Sequence, residues 1–113
     1  MPACYLKFYV SEKLRHHHHL AYEWLLEEGR AFGLGGGSAF RAVAGFGRHR
    51  RLHEDHFFEL AGDLPVEVAF VTSPEEADRF LDHVARQGHD LFYLRVPVEA
   101  GFTGKGVAGM DNG

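Results

Sequence analysis

The residues that could do chemistry in this chain are mostly histidines, arginines and glycines, and they are clustered. One cluster is His16-His17-His18-His19, and a second runs Arg48-His49-Arg50-Arg51-Leu52-His53-Glu54-Asp55-His56. In the second, His49 and His53 are four apart and His53 and His56 three apart, spacings that place two imidazoles on one face of a helical turn. A metal site needs three or four ligands on a fixed scaffold, and the arginines here are poor company for a cation, so no metal ligand is assigned. His53 beside Glu54 or Asp55 has the residue types for general acid–base work, because imidazole titrates near neutrality. No nucleophile or oxyanion hole accompanies it, so no catalytic residue is assigned and the chain reads as a protein without enzymatic activity.

Directly before this stretch stands Gly45-Phe46-Gly47-Arg48. Two readings are open on pattern alone. The glycines can permit a twist at a strand exit with Arg48 solvated, or they can let backbone amides approach an anion with Arg48 as a forked donor. The run His16 to His19 looks like a purification tag but is internal, placed where a first helix is expected to begin. It reads as a solvated helix start, where the positive end of the dipole favours neutral imidazole. Site-specific metal binding in an oligomer is the sharper alternative.

The elements that must position these residues follow from hydrophobic period. Cys4, Leu6, Phe8 and Val10 alternate with Tyr5, Lys7 and Tyr9, the period of a strand. Ser11 is expected to cap a helix carrying Leu20, Ala21, Trp24, Leu25 and Phe32 on one stripe, ended by Gly33 and Gly35-Gly36-Gly37. Residues 38–46 read as a second strand and the following residues to Phe57 as a loop, with a helical turn at 53–60. Residues 64–71 read as a third strand with Pro65 near its start. Ser73-Pro74-Glu75-Glu76 signals a helix start with a serine cap, proline at the first position and acids in the first turn. Ala77, Phe80, Leu81 and Val84 supply the stripe, Gly88 the stop, and residues 91–98 the last strand. Trp24, Phe57 and Phe58 read as core or subunit-contact residues.

The order strand, helix, strand, strand, helix, strand is the split β-α-β motif of ferredoxin-like α+β domains, an antiparallel sheet with both helices on one face. The other face would carry Tyr5, Tyr9 and half the apolar residues of the later strands, so several subunits are expected to pack these faces together. With 113 residues the chain supports one core. The expected division is a domain at 1–99 and a flexible tail at 100–113, where five of the last fifteen residues are glycine. A formal net charge of −4 argues against binding nucleic acid through bulk charge. The single cysteine, Cys4, excludes an internal disulfide. With no membrane-length apolar run and no signal-peptide pattern, a cytoplasmic location is the default.

Residues 37–49, Gly-Ser-Ala-Phe-Arg-Ala-Val-Ala-Gly-Phe-Gly-Arg-His, resemble the second strand and loop entrance of PII signalling proteins, with Gly45-Phe46-Gly47-Arg48 as the core of the match. Asp63-Leu64-Pro65 and Val96-Pro97-Val98-Glu99 match in order. From Leu6 to Glu99 the chain also resembles a PII-like family of unknown function, domain of unknown function 190, on Tyr22-Glu23-Trp24-Leu25-Leu26, Ala39-Phe40-Arg41-Ala42 and Ala44-Gly45-Phe46-Gly47. The resemblance implies a ferredoxin-like homotrimer that binds a small effector between subunits and signals to a partner protein, such as a membrane transporter or channel, through the loop between strands two and three.

Carried over, Gly45, Phe46, Gly47, Arg48 and His49 would sit at the nucleotide cleft, with Gly37 and Ser38 from the neighbouring subunit. Arg50, Arg51, His53 and His56 would belong to the partner loop. His49 replaces a glutamine that helps hold magnesium and 2-oxoglutarate. Other PII features are missing. Gly88-His89-Asp90 stands where PII proteins have a lysine-containing phosphate loop, Ala44 and Val66 replace lysines, and only Thr103-Gly104-Lys105 remains of an arginine-bearing C-terminal loop. No tyrosine between Val43 and Phe57 is present for uridylylation. The effector implied is therefore AMP, ADP or ATP, with AMP suiting the reduced charge best. The alternative is a trimeric divalent-metal-binding protein of the cation-tolerance type, and a phosphoester hydrolase using His53 ranks last.

Overall fold

The computed structural model describes residues 2–45 and 64–104. Its main sheet has four strands: β1 (Pro2–Ser11), β4 (Gly37–Arg41), β5 (Pro65–Thr72) and β6 (Phe92–Glu99), in the order β4-β5-β1-β6 with every pairing antiparallel. Helices α1 (Ala21–Ala31) and α2 (Pro74–Arg86) contribute Trp24, Leu25, Ala77, Phe80 and Val84 to one core with Cys4, Leu6, Phe8 and Val10 of β1. This is the ferredoxin-like α+β arrangement expected from the element order. At its centre Phe8, Phe70 and Phe80 meet edge to face with centroids 5.4–6.3 Å apart. Each such contact adds about 0.5–1.5 kcal/mol beyond the area it buries.

Local signals place the helix ends. Ser73 Oγ accepts a hydrogen bond from the Glu76 amide at 3.1 Å, and Pro74 follows at the first helical position. Glu76 is held in turn by Thr72 Oγ1, which donates to its carboxylate at 2.7 Å. Helix α1 ends when Gly33 turns to φ 81°: the Gly33 amide donates to Arg30 O and the Leu34 amide to Gly29 O, each at 3.0 Å. That bond pattern is a Schellman motif, which places glycine where a side chain would be strained. Gly88, at φ 90°, follows α2 in the same backbone region.

Three expectations change. Ser11 does not cap α1; its Oγ accepts from the Lys13 amide at 3.1 Å, closing a turn. Between that turn and α1 the histidine run forms a small hairpin, β2 (Arg15–His16) paired with β3 (His19–Leu20), with His17 at φ 57° in its turn. The histidines are thus not a helix start, and α1 begins after Leu20 with no side-chain cap. Strand β4 also stops at Arg41, short of residue 46. Its ladder ends against Val66, one residue after Pro65, which has no amide hydrogen to extend the pairing.

The register assigns the faces of the sheet. Tyr5, Lys7 and Tyr9 lie opposite Val96, Leu94 and Phe92 on β6 and opposite Val71, Ala69 and Glu67 on β5. Ser38 and Phe40 of β4 join the same face. It is the face away from the helices, and Phe40, Val71, Phe92, Leu94 and Val96 are all exposed on it. At its centre Lys7 Nζ donates to Glu67 Oε1 at 3.0 Å and lies 5.7 Å from the ring centroids of both Tyr5 and Tyr9. The hydrogen bond to Glu67 raises the Lys7 pKa above its ordinary value, against the opposing effect of burial.

Candidate functional site

The close approach of α1 to the sheet is made by glycine. Gly29 is buried in the last turn of α1, and a Cβ there would overlap the Phe70 ring. Gly37, the first residue of β4, meets the same ring from another side: a Cβ would stand 2.7 Å from Phe70 Cε1. Around this contact lies a cleft of about 300 Å³ lined by Leu26, Glu27, Gly29, Arg30, Leu34, Gly36, Gly37 and Phe70. Its floor is apolar, and Glu27 and Arg30 bring exposed charges of both signs.

Of the residues expected at the nucleotide site, Gly37, Ser38 and Gly45 are described. Gly37 lines the cleft, while Ser38 points to the opposite face of the sheet, level with Ala69. Gly45 lies beyond the other end of β4, where a Cβ would meet Pro65 Cγ at 3.7 Å. The length of β4 thus separates Gly37 from Gly45 within one chain. Phe46, Gly47, Arg48 and His49, the loop residues Arg50, Arg51, His53 and His56, and the helical turn at 53–60 lie outside the described residues. The base of that segment is fastened: the Glu12 amide donates to Leu64 O at 3.2 Å, the Ala42 amide to Pro65 O at 3.0 Å, and Arg41 Nε to Glu12 Oε1 at 3.0 Å. The Glu12 carboxylate raises the Arg41 pKa through that bond.

A second pocket, of about 280 Å³, is lined by Ala3, Cys4, Pro74, Arg95 and Pro97. Arg95 spans it, donating to Asp78 Oδ1 at 2.6 Å and to Pro74 O at 3.0 Å, so β6 is tied to α2. The Asp78 bond raises the Arg95 pKa.

The third cluster is one the sequence pattern did not reveal. His16 is buried, its ring stacked on Trp24 with centroids 4.0 Å apart, and its Nδ1 shares a 2.7 Å hydrogen bond with His89 Nε2. Burial lowers the His16 pKa, and His17 and His89 lower it further by like-charge repulsion. Nearby His83 Nε2 lies 2.6 Å from Glu28 Oε1, and its ring centroid is 6.4 Å from that of Trp24, with the two ring planes 29° apart. His89 thus occupies the short turn before the last strand and faces inward. Among the described residues, no three His, Cys, Asp or Glu side chains are grouped to hold a metal ion. No helix among them is long and apolar enough to cross a membrane.

Comparison with known proteins agrees with the fold. Residues 3–100 match the model of a family described as Uncharacterized ACR, domain of unknown function 190. A UPF0166 protein of Aquifex aeolicus (strain VF5) is 32% identical over 89 residues, which cover 79% of this chain and 85% of that protein. The crystal structure of a proposed PII-like signaling protein from Thermus thermophilus superposes with a TM-score of 0.54 at 16% identity, covering 87% of this chain and 90% of that one. With a ferredoxin-like sheet, a family match over residues 3–100 and a relative 32% identical over most of its length, the chain belongs to the domain of unknown function 190 family.

Proposed function

We propose that this protein is a PII-like regulatory protein: a homotrimer that binds an adenine nucleotide between subunits and signals to a partner protein through the loop at Arg48 to His56 between β4 and β5, without catalysing a reaction. The observation that carries this reading is the uncovered sheet face. Phe40, Val71, Phe92, Leu94 and Val96 form an exposed apolar surface across the strands, of the kind that marks a protein interface. Covering it with two further copies brings β4 of one subunit toward its neighbours. Gly37 and Gly45, which stand at opposite ends of β4 within one chain, can then serve one ligand from two. The likeness of fold to a proposed PII-like signaling protein supports the same assignment.

In this reading Gly45, Phe46, Gly47, Arg48 and His49 hold the nucleotide with Gly37 and Ser38 of the next subunit. Arg48 supplies the charge-assisted bonds to phosphate. Ligand binding orders the segment containing Arg50, Arg51, His53 and His56 and so changes the surface offered to a partner. Because His89 is engaged with His16, the turn before β6 contributes little to phosphate binding, which favours AMP over ATP. The test is native mass spectrometry of the purified protein, followed by thermal shift with AMP, ADP and ATP. A trimer whose melting temperature rises with AMP, and whose response disappears in Arg48→Ala, is expected. A monomer, or no shift at millimolar nucleotide, would refute the proposal.

A further inference from the structure

The hydrogen bond between His16 and His89 joins parts of the chain 73 residues apart. One partner lies in the β2–β3 hairpin and the other just after the Gly88 turn that follows α2. The hairpin ladder itself consists of only two residue pairs, Arg15 with Leu20 and His16 with His19. It is further held by the Ala21 amide, which donates to Leu14 O at 2.8 Å, and by Arg15 Nη1, which donates to His18 O at 3.0 Å. The first of these bonds ties the base of the hairpin to the first residue of α1, and the second lies within the hairpin. The side-chain contacts of His16 with Trp24 and His89 reach across to α1 and the exit of α2.

We propose that the His16–His89 pair is an acid-sensitive latch that fastens the β2–β3 hairpin over Trp24 and opens when both imidazoles take up protons. In the neutral pair one ring nitrogen donates and the other accepts. A single added proton can be shared along the same bond. A second makes both nitrogens donors and sets two positive charges against each other, so closed and open forms differ in the protons they bind.

The surroundings reinforce this choice. The His17 ring centroid lies 4.4 Å from that of His16, and His19 pairs with His16 across the hairpin, so the hairpin side adds only groups that repel a charge on His16. From α1 comes Glu28, which would favour the charge, but its carboxylate is already engaged by His83 of α2 at 2.6 Å. Burial of His16 acts in the same direction as the histidines. Opening the latch uncovers the indole of Trp24, which is otherwise only 8% exposed. Acidification thereby presents an aromatic surface at the start of α1, independently of any bound effector.

Trp24 is the one tryptophan in the chain, so its emission reports the latch directly. The experiment follows the emission maximum of the full-length protein between pH 8 and pH 5, alongside far-UV circular dichroism. The expected result is a reversible red shift on acidification, steeper than a one-proton titration, with ellipticity retained. His16→Phe preserves the stack and removes the proton; its emission should hold constant over the same range. His89→Gln leaves a neutral partner that accommodates a singly charged His16 and cannot take up the second proton, so it should abolish the transition over the same range. The latch is overturned by an unchanged emission maximum down to pH 5, by the same transition in both variants, or by a shift that coincides with loss of ellipticity.

Discussion

Gly37 stands against the ring of Phe70 so closely that a Cβ would lie 2.7 Å from Cε1 and 2.8 Å from Cδ1. Gly29 approaches the same ring from α1. Alanine normally stabilises a helix relative to glycine by about 1 kcal/mol. At Gly29 the sign should reverse, because the added methyl overlaps the Phe70 ring and one of the two must shift. Gly29→Ala and Gly37→Ala should each cost about 1–3 kcal/mol in urea unfolding. A Gly29→Ala protein as stable as the parent would show that α1 can move away from the sheet at little cost.

The open sheet face makes a second prediction. Leu94 is 41% exposed between Phe92 and Val96 on β6, the same side as Tyr5, Lys7 and Tyr9. Leu94→Glu places a carboxylate in the middle of this surface without touching the core. Light scattering should report a monomer with parental far-UV ellipticity, whereas Glu75→Lys, at the solvent-exposed start of α2, should leave the oligomer intact. An unchanged oligomer in Leu94→Glu would mean that the face is not the subunit contact.

At the start of α2, Ser73 Oγ is the acceptor for the Glu76 amide. Ser73→Ala leaves that donor without its partner and should cost about 1 kcal/mol, whereas Ser73→Asp should restore most of it. Chemical denaturation of both variants distinguishes a capping role from simple loss of packing, since aspartate restores the acceptor but not the serine's size.

Stability should also depend on pH through His16. Its pKa is lowered in the folded protein, first by burial and then by His17 and His89, from the ordinary value of 6.5. The unfolded chain therefore binds a proton near pH 6.5 that the folded chain resists. The contribution is fully present above that pH and declines as the pH falls below it. Urea midpoints measured at pH 8, 6 and 5 should fall on acidification, and the slope should be reduced in His16→Phe. Parallel pH profiles for the two proteins would contradict this.

Much of the fold was legible in the sequence because its elements are amphipathic with clear periods. The alternation from Cys4 to Val10, the Ser73-Pro74 start of α2 and the glycine stops at Gly33 and Gly88 are local signals, and each is found where its pattern indicated. Even the uncovered face follows from strand alternation, since both helices are used on one side. The early end of β4 was harder to read, because it depends on which residue lies opposite Pro65.

The histidines divide the two kinds of information most sharply. By itself the sequence determined that four of them are adjacent and that another follows the glycine stop of α2. It held no sign that His16 and His89 would meet, because nothing in local period links residues 73 apart. Gly29 was equally silent in purpose. Only the packed structure decided that Phe70 needs the space at Gly29 and Gly37, and that Trp24 takes His16 as its stacking partner. Local propensity depends on neighbours a few residues away, whereas burial and charge depend on what the sheet order brings together.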